Sequence, residues 1–268
     1  MDISILLMLV AVGCLMGFTA GFFGVGGGIV LVPMLLLIYT QTGLAPSISS
    51  HVAFGTSLFV STFTSLSSSY RHFKNKNIVK EAILILAVAS IITALFGSWI
   101  ADQLSSLSLR RIFSLVIFFA GLRLTLQKNE KVNERVANVS KPGLIGIGTF
   151  TGFVSSLAGV GGGVFSIPMM YQFLNFPIKK AIGTSSAVIV FTTFFASLGY
   201  MINGWGRPEL PSYTLGYVHI GAAIPVMITA VLFSQFGAMV THKTEVNRLR
   251  RIFGGFLVAV GVYIFVTS

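Results

Sequence analysis

Charged residues are scarce in this chain. They make up 9% of its 268 residues, whereas a soluble domain carries about 25%. Apolar stretches of about 20 residues recur from one end to the other, which is typical of membrane-spanning helices. The segments between them are too short to form a second domain. The sequence therefore predicts an all-α polytopic membrane protein, with a single membrane domain embedded in a lipid bilayer.

Acidic residues and cysteine are also few. All seven Asp and Glu residues fall at segment ends or in loops, which argues against a buried carboxylate relay or a pair of catalytic carboxylates. The single cysteine, Cys14, excludes an intramolecular disulfide and a cysteine metal cluster. We therefore expect a protein that is not an enzyme and that needs no metal or other cofactor.

Basic residues dominate the charge. A net charge of +11 is also found in proteins that bind nucleic acid. Basic residues that flank apolar segments have a commoner explanation, because they orient a protein in the bilayer. We therefore predict no nucleic-acid partner.

The chain is built from an internal repeat. Both halves contain the block G-V-G-G-G, followed after four residues by a proline, Pro33 or Pro168. Three pairs of segments share their sequence and their order: 17–35 and 152–170, 54–60 and 182–188, 109–113 and 249–253. The sequence thus predicts two membrane repeats, 1–135 and 136–268, joined by a polar linker that runs from about residue 127 to residue 141.

The distribution of basic residues decides how the repeats are related. If each glycine-rich run crosses the membrane once, the repeats are parallel and the 18 Lys and Arg residues divide ten to eight. If each run turns back at its glycines, the repeats are inverted and the division is fifteen to three. Because cytoplasmic loops are enriched in Lys and Arg, we predict two inverted-topology repeats, with both chain termini outside. Each repeat then holds a glycine-broken helical hairpin, either re-entrant or two thin spans, and three further transmembrane helices.

The glycine blocks are the first candidate binding site. In transporters built from inverted repeats, broken helices present their N-termini near the midplane, where free amides and the helix dipole favour an anion. Six glycines are predicted to bind substrate: Gly26, Gly27, Gly28, Gly161, Gly162 and Gly163. Pro33 and Pro168 are predicted to kink the helices that follow. The alternative is close helix packing through the G-x-x-x-G pattern.

The Gly-Thr-Ser triplets downstream are the second candidate. Their hydroxyls can donate hydrogen bonds to an oxyanion, and four are predicted to bind substrate: Thr56, Ser57, Thr184 and Ser185. The alternative is that they bond to their own helix backbone. Since no acid lies inside an apolar segment, proton coupling requires either a histidine or the protonation of the substrate itself. His51, about one turn before Gly55, is the candidate, with a structural role as its alternative; Na⁺ is the other coupling ion considered.

The paired G-V-G-G-G-x-x-x-x-P blocks, each followed by a Gly-Thr-Ser segment, resemble the sulfite exporter TauE/SafE family of membrane permeases over essentially the whole chain. The resemblance implies a multi-pass protein of a bacterial cytoplasmic membrane. It also implies transport of small sulfur-containing anions such as sulfite, sulfoacetate or other sulfonates, with other small carboxylates and sulfur compounds as alternatives.

The residues and the resemblance both indicate an anionic substrate. We expect a secondary transporter that works by alternating access. Export is the simpler direction, because an inside-negative potential drives anions outward. An anion channel lined by the same glycines is the main alternative; a membrane enzyme and an accessory subunit are less favoured. The sequence leaves the oligomeric state open.

Overall fold

The computed structural model describes residues 3–24, 26–126, 137–240 and 246–267. These residues form ten helices and one short hairpin. The helices are α1 (Ile3–Phe23), α2 (Gly28–Gln41), α3 (Pro46–Lys74), α4 (Lys80–Gln103), α5 (Ser106–Leu126), α6 (Lys141–Ala158), α7 (Gly163–Phe173), α8 (Ile178–Asn203), α9 (Ile220–Val240) and α10 (Val246–Val266).

Helix length and composition confirm the predicted class. Among the described residues, α1, α4, α8 and α9 are long and apolar enough to cross a membrane. Other helices fall outside that set for different reasons. α2 has only 14 residues, and α3, which has 29 residues, carries many serine and threonine hydroxyls. The protein is a multi-pass membrane protein with an all-α core.

Both glycine blocks interrupt a helix at the same place. α1 ends at Phe23 and α2 begins at Gly28, while α6 ends at Ala158 and α7 begins at Gly163. Pro33 lies inside α2, as Pro168 lies inside α7. Proline has no N–H to donate in the helix interior, so each short helix after a break lacks one backbone hydrogen bond.

The first helix of each half packs along a helix of the other half. A Cβ at Gly17 of α1 would lie 2.7 Å from the Ala230 Cα of α9, and one at Gly21 would lie 2.8 Å from the Ser234 carbonyl carbon. Gly17 pairs with Ala230 and Gly21 pairs with Ser234, so the residue numbers rise in the same direction along both helices. α1 and α9 are therefore parallel. The G-x-x-x-G pattern of residues 17–21 therefore serves close backbone packing, as its alternative interpretation predicted.

Two pairs of corresponding helices in the two halves run antiparallel. In α3 and α8, Thr62 Oγ1 lies 3.0 Å from Thr193 Oγ1, and a Cβ at Gly55 would lie 3.1 Å from the Tyr200 Cβ. The residue number therefore rises in α3 as it falls in α8. α5 and α10 show the same arrangement: a Cβ at Gly121 would lie 2.6 Å from the Gly254 carbonyl oxygen, and one at Gly261 would lie 3.0 Å from the Ser114 carbonyl oxygen.

A two-stranded antiparallel hairpin separates α8 from α9. Its strands are β1 (Thr214–Leu215) and β2 (Val218–His219). Tyr217, at the turn between them, is 1% exposed and packs against Gly204 and Gly55. The hairpin therefore closes one end of the helix bundle, a feature that the sequence analysis did not predict.

Candidate substrate-binding site

Two glycines have the same conformation in both glycine turns. Gly24 and Gly27 have φ angles of 68° and 77°, and their counterparts Gly159 and Gly162 have 64° and 73°. In each turn the second of these glycines is the N-cap of the following helix, without a side-chain cap. A residue with a Cβ is strained in this left-handed region, so the repeated sequence encodes a repeated turn.

The two turns touch each other. A Cβ at Gly26 would lie 2.8 Å from the Gly161 Cα. One at Gly28 would lie 3.0 Å from the Val160 Cα and 2.8 Å from Ser57 Oγ. Glycine at these positions thus allows the backbones of the two halves to meet, and the six predicted glycines form one cluster in the interior.

The two serines of the Gly-Thr-Ser triplets reach the glycine turn of the opposite half. Ser57 Oγ donates a hydrogen bond to the Gly159 carbonyl at 2.8 Å. Ser185 Oγ lies 3.5 Å from the Gly24 carbonyl and 2.7 Å from Ser166 Oγ. The structure therefore brings the predicted serines and the predicted glycines together, and each serine braces the first glycine of the other copy's block.

The two threonines of the triplets have a different role. Thr56 Oγ1 accepts a hydrogen bond from the His219 N–H at 2.9 Å, and Thr184 Oγ1 accepts one from the Val79 N–H at 3.0 Å. His219 directly precedes α9 and Val79 directly precedes α4. These hydroxyls fix the starts of two helices, where backbone N–H groups lack intrahelical partners.

A small cavity lies at the N-terminus of α7. Its volume is about 10 Å³, enough for one water molecule. Four hydroxyls and two glycines of the second turn line it, together with four apolar side chains: Thr151, Ser166, Ser185, Thr192, Gly161, Gly162, Leu86, Met170, Val188 and Ile189. The cavity thus collects hydroxyls from α6, α7 and α8 beside backbone amides that have no partner within α7.

One pair of serines beside this cavity has a hydroxyl hydrogen to spare. Ser166 and Ser185 share one hydrogen bond of 2.7 Å but carry two hydroxyl hydrogens. In the described part of the chain, the second hydrogen has only the 3.5 Å contact to the Gly24 carbonyl, which is at the limit for a hydrogen bond. Thr151 and Thr192 instead donate to the Ile147 and Val188 carbonyls of their own helices, at 2.7 Å and 3.1 Å. The serine pair can therefore offer one donor to a guest.

The equivalent space at the first turn is filled by apolar side chains. In the aligned repeats Met16 stands at the position of Thr151, and Leu31 stands at that of Ser166. Both side chains are fully buried, and a Cβ at Gly27 would lie 2.6 Å from the Met16 Cγ. The two turns thus match at two left-handed glycines but differ in polarity at these two neighbouring positions.

Sequence reasoning missed Thr151 and Ser166. It searched the repeats for identical residues, and these two positions differ between the copies. The signal that finds them is a hydroxyl in one copy opposite an apolar residue in the other, next to a shared glycine block.

His51 lies in a cluster at the hairpin. The ring is 4% exposed, stacks on Tyr217 with centroids 5.0 Å apart, and places Nε2 at 3.1 Å from the Ala101 carbonyl. Its Nδ1 is buried and has no hydrogen-bond partner among the described residues. The histidine therefore contacts the C-terminal end of α4 and the hairpin, on the same helix as the Gly-Thr-Ser triplet but about one turn away.

Asp102 fastens the hairpin to α4. It accepts hydrogen bonds from Arg207 Nη2 and from the Tyr217 hydroxyl, both at 2.9 Å. Burial, together with the carboxylate beside it, raises the pKa of Tyr217 far above its usual range, so its hydroxyl stays a donor. Within the described ranges, no group of three or more His, Cys, Asp or Glu residues could hold a metal ion.

Comparison with known proteins identifies the family. The model of the sulfite exporter TauE/SafE family matches residues 9–264. The chain belongs to this family. A probable membrane transporter protein of Haemophilus influenzae is 31% identical over 264 residues, with 98% of each chain covered. One from Methanocaldococcus jannaschii is 28% identical over 258 residues, covering 96% of this chain and 94% of the relative. No solved structure matches the chain.

Membership of the TauE/SafE family makes this protein a membrane transporter. The relatives that span almost the whole chain carry the name of transporters, and the family match covers both glycine turns and both Gly-Thr-Ser triplets. The predicted family and the predicted membrane class are thus confirmed.

Proposed function

We propose that the protein carries a small oxyanion of sulfur, such as sulfite or a short sulfonate, and binds it at the second glycine turn. The observation that carries this proposal is the hydroxyl-lined cavity at the N-terminus of α7. Free amides at a helix start and hydroxyl donors favour an anion without a buried cation. The name of the family supports sulfite as the first substrate to test.

The first turn, predicted from the sequence as an equal cradle, has another part in this proposal. Met16 and Leu31 stand where the second turn has Thr151 and Ser166. Gly26, Gly27 and Gly28 are therefore assigned the role of bringing the two backbones together. The substrate contacts are assigned to Gly161 and Gly162, which line the cavity, and to the neighbouring Gly163 at the start of α7. Ser166 and Ser185 are the hydroxyl donors, and Thr151 and Thr192 complete the lining.

A cavity of about 10 Å³ admits one water molecule but not an oxyanion with four or more heavy atoms. Substrate entry therefore requires helices around the second turn to separate. We propose alternating access between two such openings, with residues 1–135 and 136–268 as inverted repeats. The antiparallel packing of α3 with α8 and of α5 with α10 supports this relation.

The proposed topology puts both termini outside a bacterial cytoplasmic membrane. It is tested with single cysteines in a Cys14→Ala background. Lys76→Cys should react with a membrane-impermeant maleimide only after the membrane is opened. Reaction of this cysteine in intact cells would overturn the inverted arrangement.

Flux through proteoliposomes that contain only this protein tests the transport proposal. Sulfite, sulfate, sulfoacetate, taurine and small carboxylates are compared, with imposed proton and sodium gradients. Saturable flux of sulfite or a sulfonate supports the proposal. Single-channel currents would favour the anion channel instead, and preference for a cation or a neutral solute would refute the assignment. A proton-driven flux that His51→Gln uncouples would support His51 as the coupling residue.

A further inference from the structure

A large cavity lies between α1, α2 and α10, with Arg110 of α5 at its edge. Its volume is about 560 Å³, within the range of about 300–1,000 Å³ that is usual for pockets binding small organic molecules. The lining is mostly aliphatic. Its polar contributors are Arg110, Thr40, Thr267 and the Tyr263 hydroxyl.

The apolar end of the cavity is closed by aromatic rings. α1 and α10 meet where Phe23 stacks on Phe253, with centroids 4.9 Å apart, and Phe253 stacks in turn on Phe256 at 6.4 Å. Phe256 lines the cavity, as does Leu15 of α1. The two helices diverge beyond this contact, and the cavity occupies the wedge between them.

The opposite end is polar and cationic. Thr267 lies about 16 Å from Phe256 along α10 at 1.5 Å per residue. Arg110 lies at the same end, because α5 is antiparallel to α10 and Ser114, one turn further along α5, packs on Gly261. The cavity is therefore long and amphipathic, with one cation at its polar end.

Arg110 is held in place but has donors left. Its Nη2 donates to Ser49 Oγ at 2.7 Å and its Nε donates to Ser50 Oγ at 3.2 Å. A guanidinium has five N–H donors in all. No acidic side chain in the described segments forms an ion pair with it. The charge of Arg110 is thus available to an anion at the cavity mouth.

We propose that this cavity binds an anionic phospholipid, with the phosphate on Arg110 and one acyl chain along α1 and α10 towards Phe256. Cationic pockets between transmembrane helices recognise anionic headgroups. The aliphatic walls of the cavity suit an apolar acyl chain, while the headgroup stays at the polar end with Arg110. The site is separate from the substrate cavity and does not depend on which solute is carried.

Photocrosslinking of the full-length protein in nanodiscs tests this site. The probe is phosphatidylglycerol with a diazirine in one acyl chain, and phosphatidylcholine with the same chain is its control. We expect adducts on the lining residues of α1 and α10, mainly from the anionic lipid. Arg110→Gln should lower the yield about tenfold, because it removes the charge-assisted hydrogen bonds to the phosphate. Leu15→Trp should abolish the adducts by filling the cavity.

Two control variants lie beside these positions. Arg111→Gln removes the neighbouring exposed cation, and Leu115→Trp adds the same bulk to an exposed position of α5; both should leave the yield unchanged. Equal labelling by the two lipids, or equal yields from Arg110→Gln and Arg111→Gln, would overturn the proposal. So would stronger labelling by a free fatty acid with the same diazirine, which would identify a carboxylate amphiphile as the occupant.

Discussion

The two glycine turns match at two left-handed glycines and differ in the side chains beside them. Gly27 and Gly162 both adopt the left-handed conformation, yet the first lies against a methionine and the second borders a cavity lined by hydroxyls. A duplicated motif keeps its fold when its glycines are kept. Its chemistry is set by the positions that the duplication left free to change, so one copy can support the structure while the other binds.

Exchanging the polar neighbours of the second turn for those of the first should have the largest effect. Thr151→Met combined with Ser166→Leu should lower substrate flux about 100-fold, because the lost Ser166 hydrogen bond to an anion costs roughly 1.5–3 kcal/mol and the two larger side chains fill the cavity. Initial rates in proteoliposomes measure this. Thr149→Met, at an exposed position of the same helix, is the control. Unchanged flux in the double variant would contradict the assigned site.

The reciprocal exchange at the first turn should cost stability and not transport. Met16→Thr combined with Leu31→Ser removes two fully buried apolar side chains, and such truncations cost about 2–5 kcal/mol each. The thermal unfolding midpoint in detergent should fall clearly, while the KM of the protein that remains folded stays the same. A raised KM in this variant would mean that the first turn also contacts the substrate.

Alanine substitutions at Ser57 and Ser185 should distinguish a structural hydrogen bond from a contact with the substrate. Ser57→Ala removes the 2.8 Å hydrogen bond to Gly159 and should lower stability by about 1 kcal/mol with little change in KM. Ser185→Ala removes a cavity hydroxyl and should raise KM about tenfold. Unfolding midpoints and KM are measured on both variants. Identical effects of the two substitutions would remove the functional difference between the halves.

The threonines should give the smallest effects and respond alike. Thr56→Val and Thr184→Val each remove one acceptor for the N–H before a helix, at a cost of about 1 kcal/mol. Thermal unfolding should detect this loss, and the substrate specificity profile should not move. A changed specificity profile in either variant would mean that these hydroxyls contact the substrate.

The sequence predicted the helical class, the two breaks and the cluster of glycines well, because each depends on local composition or on identity between repeats. Gly24 and Gly27 recur as Gly159 and Gly162 for a backbone reason that any alignment of the halves reveals. Contacts between distant segments were out of reach. Nothing local indicates that the Thr56 hydroxyl meets the start of α9.

The polarity difference was equally hidden. Thr151 is one of many hydroxyls in an apolar run. Its equivalence to Met16 in the aligned repeats becomes informative only once the structure shows a cavity beside it. The hairpin at Thr214–His219 was missed because strands of two residues are shorter than any periodic signal.

The pairing of α1 with α9 sets an order of events during synthesis. α9 follows α1 by roughly 200 residues, so at about 5–20 residues per second the ribosome needs roughly 10–40 seconds to deliver it. α6, by contrast, emerges when its neighbour α4 is already made. Until α9 is made, the glycine face of α1 must be covered by lipid or by an insertion factor. A nascent chain halted before Ile220 should thus leave this face open to crosslinking, because the helix that covers it lies in about the last fifth of the chain.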